Sequence, residues 1–409
     1  MSDGFSNGGM RQRGLSLLEL MVALLIAGLL ALGIVQIFGA SRVTYQTQEG
    51  LSRVQESGRY ATQFLQRQLR MVGYMGCGSD SERFSQVSFV NHLATYSATV
   101  PGGDAVDPKY RFQRPIEAFA STAVPAGFLD HAPLGGDVLV LRVLGEDSVP
   151  ALTINAANNS YNQLDATVAS PTADVFEGNA GAAVLYALQS CRSIDIFAGA
   201  LAADKVTAQG NVAPNQYLDP TVTNCGAGGC PWDFRISNAF LNAPPASTGG
   251  LQLNAEIHRA EFYAFYVATS TTNSNVSSLY VRRFSRSGTD LGPSEELAEG
   301  VESLKFSFGV DTDPTPDGQI NEYRSAADIE GASGGTEPGR DNAWRQVVSV
   351  RVGMLVRSPD RAAIGPTADG TPRTYKVLGE TVTPTTGDDG YVRQVYETTV
   401  ALRNRIFNS

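Results

Sequence analysis

One carboxylate, Glu19, stands inside an otherwise uncharged apolar run over residues 15–38. A carboxylate at the centre of a membrane helix costs about 2.5–3.5 kcal/mol on insertion scales, so such a residue marks a functional position by default. Glu19 follows Gly14 by five residues, and Gly14 ends a polar leader carrying Arg11 and Arg13. A second group of acids, Asp311, Asp313 and Asp317, lies in Asp311-Thr-Asp-Pro-Thr-Pro-Asp-Gly318 after a strand-like segment. Closely spaced carboxylates followed by glycine suit Ca²⁺, which prefers several oxygen ligands. The standard loop places acids at its first, third and fifth positions, whereas here the third acid arrives at the seventh. Ca²⁺ at Asp311, Asp313 and Asp317 is therefore weighed against a solvated acidic turn, and no other cofactor is expected. The cysteines are Cys77, Cys191, Cys225 and Cys230. An even set in an exported chain reads as disulfides, with three connectivities available. Cys225-Gly-Ala-Gly-Gly-Cys230 could close locally, which would leave Cys77 to Cys191. Zinc competes, but there is no CxxC pair, and His92, His131 and His258 lack ligand spacing. Gly331-Ala-Ser-Gly-Gly335 spells GxSxG, yet a nucleophile elbow needs a strand-turn-helix context and none is evident here. Neither HExxH nor a GK[ST] phosphate loop is present.

Positioning falls to a helix and a β-rich remainder. The run over 15–38 is long enough, at about 1.5 Å per residue, to cross a hydrocarbon core of about 30 Å. An ordinary signal peptide cleaved near Ala31-Leu32-Gly33 and a generic anchor are the alternatives, and neither gives Glu19 a task. Arg11 and Arg13 before the run, with only Arg42 closely after it, place the N-terminus in the cytoplasm and the remainder outside. Beyond the run, Leu51, Val54, Gly58, Ala61, Leu65, Leu69 and Val72 recur at helical spacing among polar residues. The expectation is a leader over 1–14, then one helix over 15–72, membrane-spanning over 15–38 and amphipathic over 39–72. Strands are expected at 137–144, 257–267, 278–284, 304–310, 346–356 and 392–402, with Leu304, Phe306, Phe308 and Val310 sharing one face. Residues 145–185 read as weak strands at best, 205–250 as long loops, and 326–341 as a polar, Gly-rich stretch. The head divides into a loop-rich β region over 73–255 and a β-sheet core over 256–409. The fold class is α+β, a long N-terminal helix packed on a large β-rich head. A net charge of −10 with pI near 4.9 argues against nucleic-acid binding by the chain as a whole. With 18% charged residues, 42 Gly and 20 Pro, the composition suits a loop-rich exported protein rather than a compact cytosolic enzyme.

The order Gly14-Leu15-Ser16-Leu17-Leu18-Glu19-Leu20 after a basic leader resembles the class III signal of type IV prepilins and pseudopilins. That resemblance implies cleavage after Gly14 by a prepilin peptidase, methylation of the new N-terminus at Leu15, and retention of the helix. Leu15 departs from the commonest first residue, Phe. The resemblance also gives Glu19 a docking role: its carboxylate meets the N-terminal amine of a neighbouring subunit, so that two charges costly in lipid compensate each other. The alternative is a glutamate that snorkels to the cytoplasmic interface. Further segments are similar to the PilW subgroup of minor pilins. They are Gly73-Tyr-Met-Gly-Cys77, Ser190-Cys-Arg-Ser-Ile-Asp-Ile-Phe197, Glu299-Gly-Val-Glu302 through Tyr323, Val347-Val-Ser-Val-Arg-Val352 and Thr399-Val-Ala-Leu-Arg-Asn404. Residues 81–185 and 205–255 carry no such likeness. Relatives of this subgroup often have a tighter Asp-x-Asp-Gly-Asp-Gly loop, from which 311–318 departs. The implied function is a minor pilin that initiates pilus assembly within a tip-located complex and supports twitching motility and adhesion. Implied partners are other minor pilins, the major pilin, a tip adhesin, the inner-membrane assembly platform and the prepilin peptidase. The implied location is a single pass through the inner membrane with the head in the periplasm, then the pilus at the cell surface. Two rivals remain: a J-type pseudopilin of type II secretion, which shares the leader, and a membrane-anchored periplasmic enzyme, for which no catalytic constellation is found.

Overall fold

The computed structural model describes residues 16–74, 88–91, 108–156, 164–177, 183–189, 193–208, 255–314, 316–335, 337–361, 373–384 and 390–405. Helix α1 (Leu17–Met71) is an unbroken rod of 55 residues, about 82 Å long at 1.5 Å per residue. Large apolar side chains from Leu17 to Phe38 are all at least 50% exposed. The second half buries one stripe, Gly50, Val54, Gly58, Ala61, Leu65 and Leu69. Leu51, expected in that stripe, is 40% exposed while Gly50 is buried. Adjacent residues on a helix point about 100° apart, so only one of the two can face the head. The helix ends at Val72 and Gly73. Gly73 has φ +75°, and a Cβ there would lie 2.6 Å from Arg405 Cγ, so glycine alone serves the turn.

Ten strands form the larger sheet: β1 (Ser88–Asn91), β2 (Ile116–Ala120), β3 (Asp137–Ala156), β4 (Leu164–Val168), β5 (Val184–Gln189), β6 (Ser193–Ala202), β7 (Lys205–Ala208), β8 (Ala255–Thr269), β9 (Ser277–Arg283) and β10 (Glu295–Glu299). Its spine is β3 paired antiparallel with β8, from Leu139↔Phe265 to Ala151↔Ala255. At one end this pair is flanked by β2 and by β9, with β10 beyond β9. At the other end the sheet curls and closes. β3 pairs β4, β4 pairs β7, β7 pairs β6, β6 pairs β5, and β5 returns to β8, every pairing antiparallel. The result is a barrel without a free edge. Its interior is filled by Val149, Val184, Tyr186, Leu188, Phe197 and Ile257 among others, with Phe176 from a short 3-10 turn. Alternate residues Leu185, Ala187, Ile194 and Ile196 face outward into a separate cluster with Phe112 and Leu144. Where open sheet meets barrel, the register jumps from Leu144↔Ala260 to Ser148↔His258. The bulged Gly145-Glu146-Asp147 sends Glu146 to Arg67 of α1 at 2.9 Å.

The smaller sheet has the order β12 (Glu322–Arg324), β11 (Val301–Val310), β13 (Val347–Arg357), β16 (Arg393–Ala401), all antiparallel. A hairpin of β14 (Tyr375–Val377) and β15 (Glu380–Val382) lies on the face away from α1, where a Cβ on Gly353 would sit 2.6 Å from Val377. The main core joins the α1 stripe to Leu304, Phe306, Phe308, Val310, Val350, Val352 and Met354. The strand expected at 137–144 continues to Ala156, and strands β4 and β5 occupy ground read as weakly structured. The stretch 326–341 holds two helices, α2 (Ala326–Ala332) and α3 (Glu337–Arg345). The cause is local: Ser325 and Asp328 form a reciprocal capping box. Trp344 then packs edge-on against Phe308 with ring centroids 5.0 Å apart.

Candidate functional site

Glu19 lies in the first turn of α1, exposed, on the helical half that the head leaves bare. No hydrogen bond or ion pair engages it among the described residues. Gly14 and Leu15 lie outside the described residues, as do Cys77, Cys191, Cys225 and Cys230. The described part of this site is therefore an unaccompanied carboxylate among exposed leucines, isoleucines and valines.

Several contacts among the described residues hold the rod to the head. A Cβ on Gly58 would overlap the ring of Tyr396, so glycine lets helix and strand approach closely. Tyr396 Oη donates to Val54 O at 3.2 Å, Gln66 Nε2 to Thr398 Oγ1 at 2.6 Å, and Asn404 Nδ2 to Arg70 O at 3.0 Å. Phe64 meets Phe265 edge-on at 6.0 Å. Arg405 closes the end of the helix against the second layer by donating to Trp344 O and Arg345 O, each at 2.9 Å.

The acidic loop does gather. Asp311, Asp313 and Asp317 bring one carboxylate oxygen each within 4.8 Å of one another. Asp311 is buried, Asp313 half-buried and Asp317 exposed. Its Oδ1 accepts the Asp313 N–H at 3.1 Å, and its Oδ2 accepts Asp317 and Gly318 N–H at 2.9 and 2.7 Å. Three amides thus already supply the partners that a buried carboxylate needs. Asn321 completes the loop: its Oδ1 accepts Thr312 N–H at 2.6 Å and its Nδ2 faces Asp313 at 3.4 Å. Chemically the cluster could offer a cation the outer oxygens of Asp313 and Asp317, while Asp311 organises the backbone. Asn321 was missed by sequence reasoning because it lies past the last acid.

A buried ionic cluster also escaped the sequence. Arg114 and Arg142 flank Glu117 at 2.5 and 2.9 Å, and Arg114 reaches Asp341 of α3 at 2.7 Å. Burial pulls the Arg142 pKa down to about 10, against the opposing pull of Glu117. The cluster ties the larger sheet to the helices of the smaller one. Ser333 of the GxSxG string caps the end of α2, donating to Glu330 O at 2.6 Å. No strand leads into it, so the nucleophile geometry is absent among the described residues.

A long helix, apolar all round at its start and one-sided where it docks on a β-rich head, has the layout of a pilin. Residues 264–404 match the family model of the type IV pilus-assembly protein W, and residues 9–35 match the prokaryotic N-terminal methylation motif. Together the two matches support a type IV minor pilin of the PilW family with a prepilin-type leader, a structural rather than enzymatic class of protein. The solved structure of a type IV-like pilin from Thermus thermophilus covers 36% of this chain and 67% of its own, at 13% identity and a TM-score of 0.20. No curated protein matches the chain.

Proposed function

We propose that this chain is a minor pilin that helps to initiate pilus assembly from a complex at the fibre tip, and thereby supports twitching motility and adhesion. The observation that carries the reading is Glu19, an unpaired carboxylate on a bare apolar helix behind a prepilin-type leader. Such a charge finds compensation only from another molecule, and a neighbouring subunit's N-terminal amine has the right sign and depth. The partners are other minor pilins, the major pilin, a tip adhesin, the assembly platform and the prepilin peptidase. The chain is first held in the inner membrane with its head in the periplasm, then carried to the cell surface. Deleting the chain tests this reading. Surface pili should fall sharply while secretion of folded enzymes continues. Lost secretion with normal pili would move the chain to the J-type pseudopilins. Mass spectrometry should place the mature N-terminus at Leu15, whereas an N-terminus at Ile34 or later would indicate an ordinary signal peptide.

A further inference from the structure

Among the described residues, most sheet edges are blunted by recognisable devices. β10 carries Glu295, Glu296 and Glu299 and a register shift between Glu296 and Ala298. β2 has five residues, with Glu117 drawn into the buried ionic cluster and α2 lying against the strand. On the smaller sheet β12 covers Phe308 to Val310. Below it the start of β3 guards β11: Asp137 Oδ2 accepts Phe306 N–H at 3.0 Å, and a Cβ on Gly136 would meet Leu304 O at 2.7 Å. Charges, bulges, short strands and covering segments are the usual means of preventing edge pairing. β16 is neither short nor bulged. It pairs β13 in unbroken register from Arg357↔Arg393 to Ser349↔Ala401, without proline or bulge.

The register fixes which backbone groups are open. Leu402 N–H donates to Val348 O at 2.9 Å and Ser358 N–H to Val392 O at 2.8 Å, so the hydrogen-bonded pairs fall on even-numbered residues of this strand. Val395, Glu397, Thr399 and Ala401 turn their N–H and C=O groups away from β13. None of these backbone groups has a hydrogen-bond partner among the described residues. The strand's two charged side chains are occupied elsewhere. Arg393 binds Glu302 at 2.7 and 3.0 Å, and Glu397 accepts Leu378 N–H at 2.6 Å.

The strand also runs with the anchor. Tyr396 meets Val54, Thr398 meets Gln66 and Asn404 meets Arg70, so advancing along β16 climbs α1 away from the bilayer. The open edge therefore stands beside the rod, at a height fixed by the membrane span. A protein rooted in the same bilayer by a similar helix is brought to that height by its own anchor. A second copy is a poorer fit. Its β2 and β10 edges are blunted, and its β16, climbing from the same bilayer, would have to pair in parallel, the less stable ladder.

We infer that the outer edge of β16, at Val395 to Ala401, docks an extended strand from the head of a different membrane-anchored pilin subunit. The added strand joins the smaller sheet through main-chain hydrogen bonds, the mode known as β-augmentation. Small or β-branched neighbours would complement the side chains there. The inference rests on the minor-pilin reading, which supplies neighbours of this kind.

The test uses the full chain in its own membranes, with a benzophenone side chain at Ala401. Ultraviolet light should link it to a subunit that mass spectrometry identifies as another pilin with its own prepilin leader. Thr399→Pro and Val395→Pro each delete an N–H that points away from β13, a substitution edge strands tolerate. Each should cut the cross-linked yield by about tenfold or more, with melting midpoint and cleavage at Gly14 unchanged. Thr398→Pro, which deletes an inward N–H, should instead unfold the sheet. Undiminished cross-linking in both outward variants, or a product made only with a second copy or with a non-pilin, overturns the inference. An uncleaved leader would bring down the pilin reading itself, whereas a cleaved leader with no proline effect removes only this docking site.

Discussion

Glu19 sits where the helix dipole is favourable to a carboxylate, in the first turn of α1, yet in a segment built for lipid. Glu19→Ala is expected to leave cleavage at Gly14 intact and to ease residence in the bilayer. Its effect should appear at incorporation, because breaking a buried charge pair by removing one partner costs about 3–5 kcal/mol. Processed protein accumulating in membranes with few surface pili is the expected outcome, and normal piliation would show a tolerated charge. Asp311 presents the opposite case, a carboxylate whose partners are all internal. Asp311→Ala strands three N–H groups and should lower unfolding stability by about 2 kcal/mol, since a buried unsatisfied donor costs about 1–3 kcal/mol. Asp311→Asn should recover part of that in urea titrations. Removing divalent cations with EDTA should leave the midpoint in place; a Ca²⁺-dependent rise would reassign Asp311, Asp313 and Asp317 as ligands. Asp130 supplies a pH signature. Partial burial raises its pKa, but hydrogen bonds from Ser294 Oγ, Ser294 N–H at 2.8 Å and Tyr266 Oη at 3.0 Å outweigh this and hold it near 2. A depressed folded pKa gives stability that is present above the ordinary carboxylate value and lost as pH falls through about 2. The melting midpoint should therefore decline as pH drops from about 4 to 2, and Asp130→Asn should flatten that decline.

At the scale of elements, the contact of α1 with β16 uses the close approach that Gly58 allows. Gly58→Ala gains about 1 kcal/mol of helix propensity but drives a methyl into the Tyr396 ring. Overpacking costs about 1–3 kcal/mol, so a net loss of stability by denaturant melts is expected, relieved when Tyr396→Val is added. This close approach was not legible in the sequence, where Gly58 was merely one position in a helical stripe. The helix itself was, because its period, its bare half and its lack of breaks all agree over α1. The strand at 304–310 was legible for the same reason, its four alternate apolar residues all reaching the core. α2 was missed although Ser325-Ala-Ala-Asp328 carries the capping-box spacing, because the surrounding glycines drew the reading toward a loop.

At the scale of the molecule, the barrel was illegible because its closure rests on pairings far apart in sequence, such as β4 with β7 and β5 with β8. Short strands with alanine and threonine announce neither partner nor register. Its junction with the rod is aromatic. Tyr74 packs against His258 with ring centroids 6.1 Å apart, and His258 Nε2 lies 3.1 Å from Gln189 Oε1. Cys77 follows Tyr74 by three residues and Cys191 follows Gln189 by two in the sequence. Peptide mapping without reductant is expected to find Cys77 joined to Cys191 and Cys225 to Cys230. Four free thiols in envelope-derived protein would rule this out.

Because β16 runs alongside α1, a pull along the rod reaches the smaller sheet as shear. The hydrogen-bonded pairs between β13 and β16 then take the load together instead of opening one after another. The barrel lies off this line, joined to the rest through β3, β8 and the Arg67–Glu146 bridge. A pull on the anchor would therefore load the smaller sheet before the barrel.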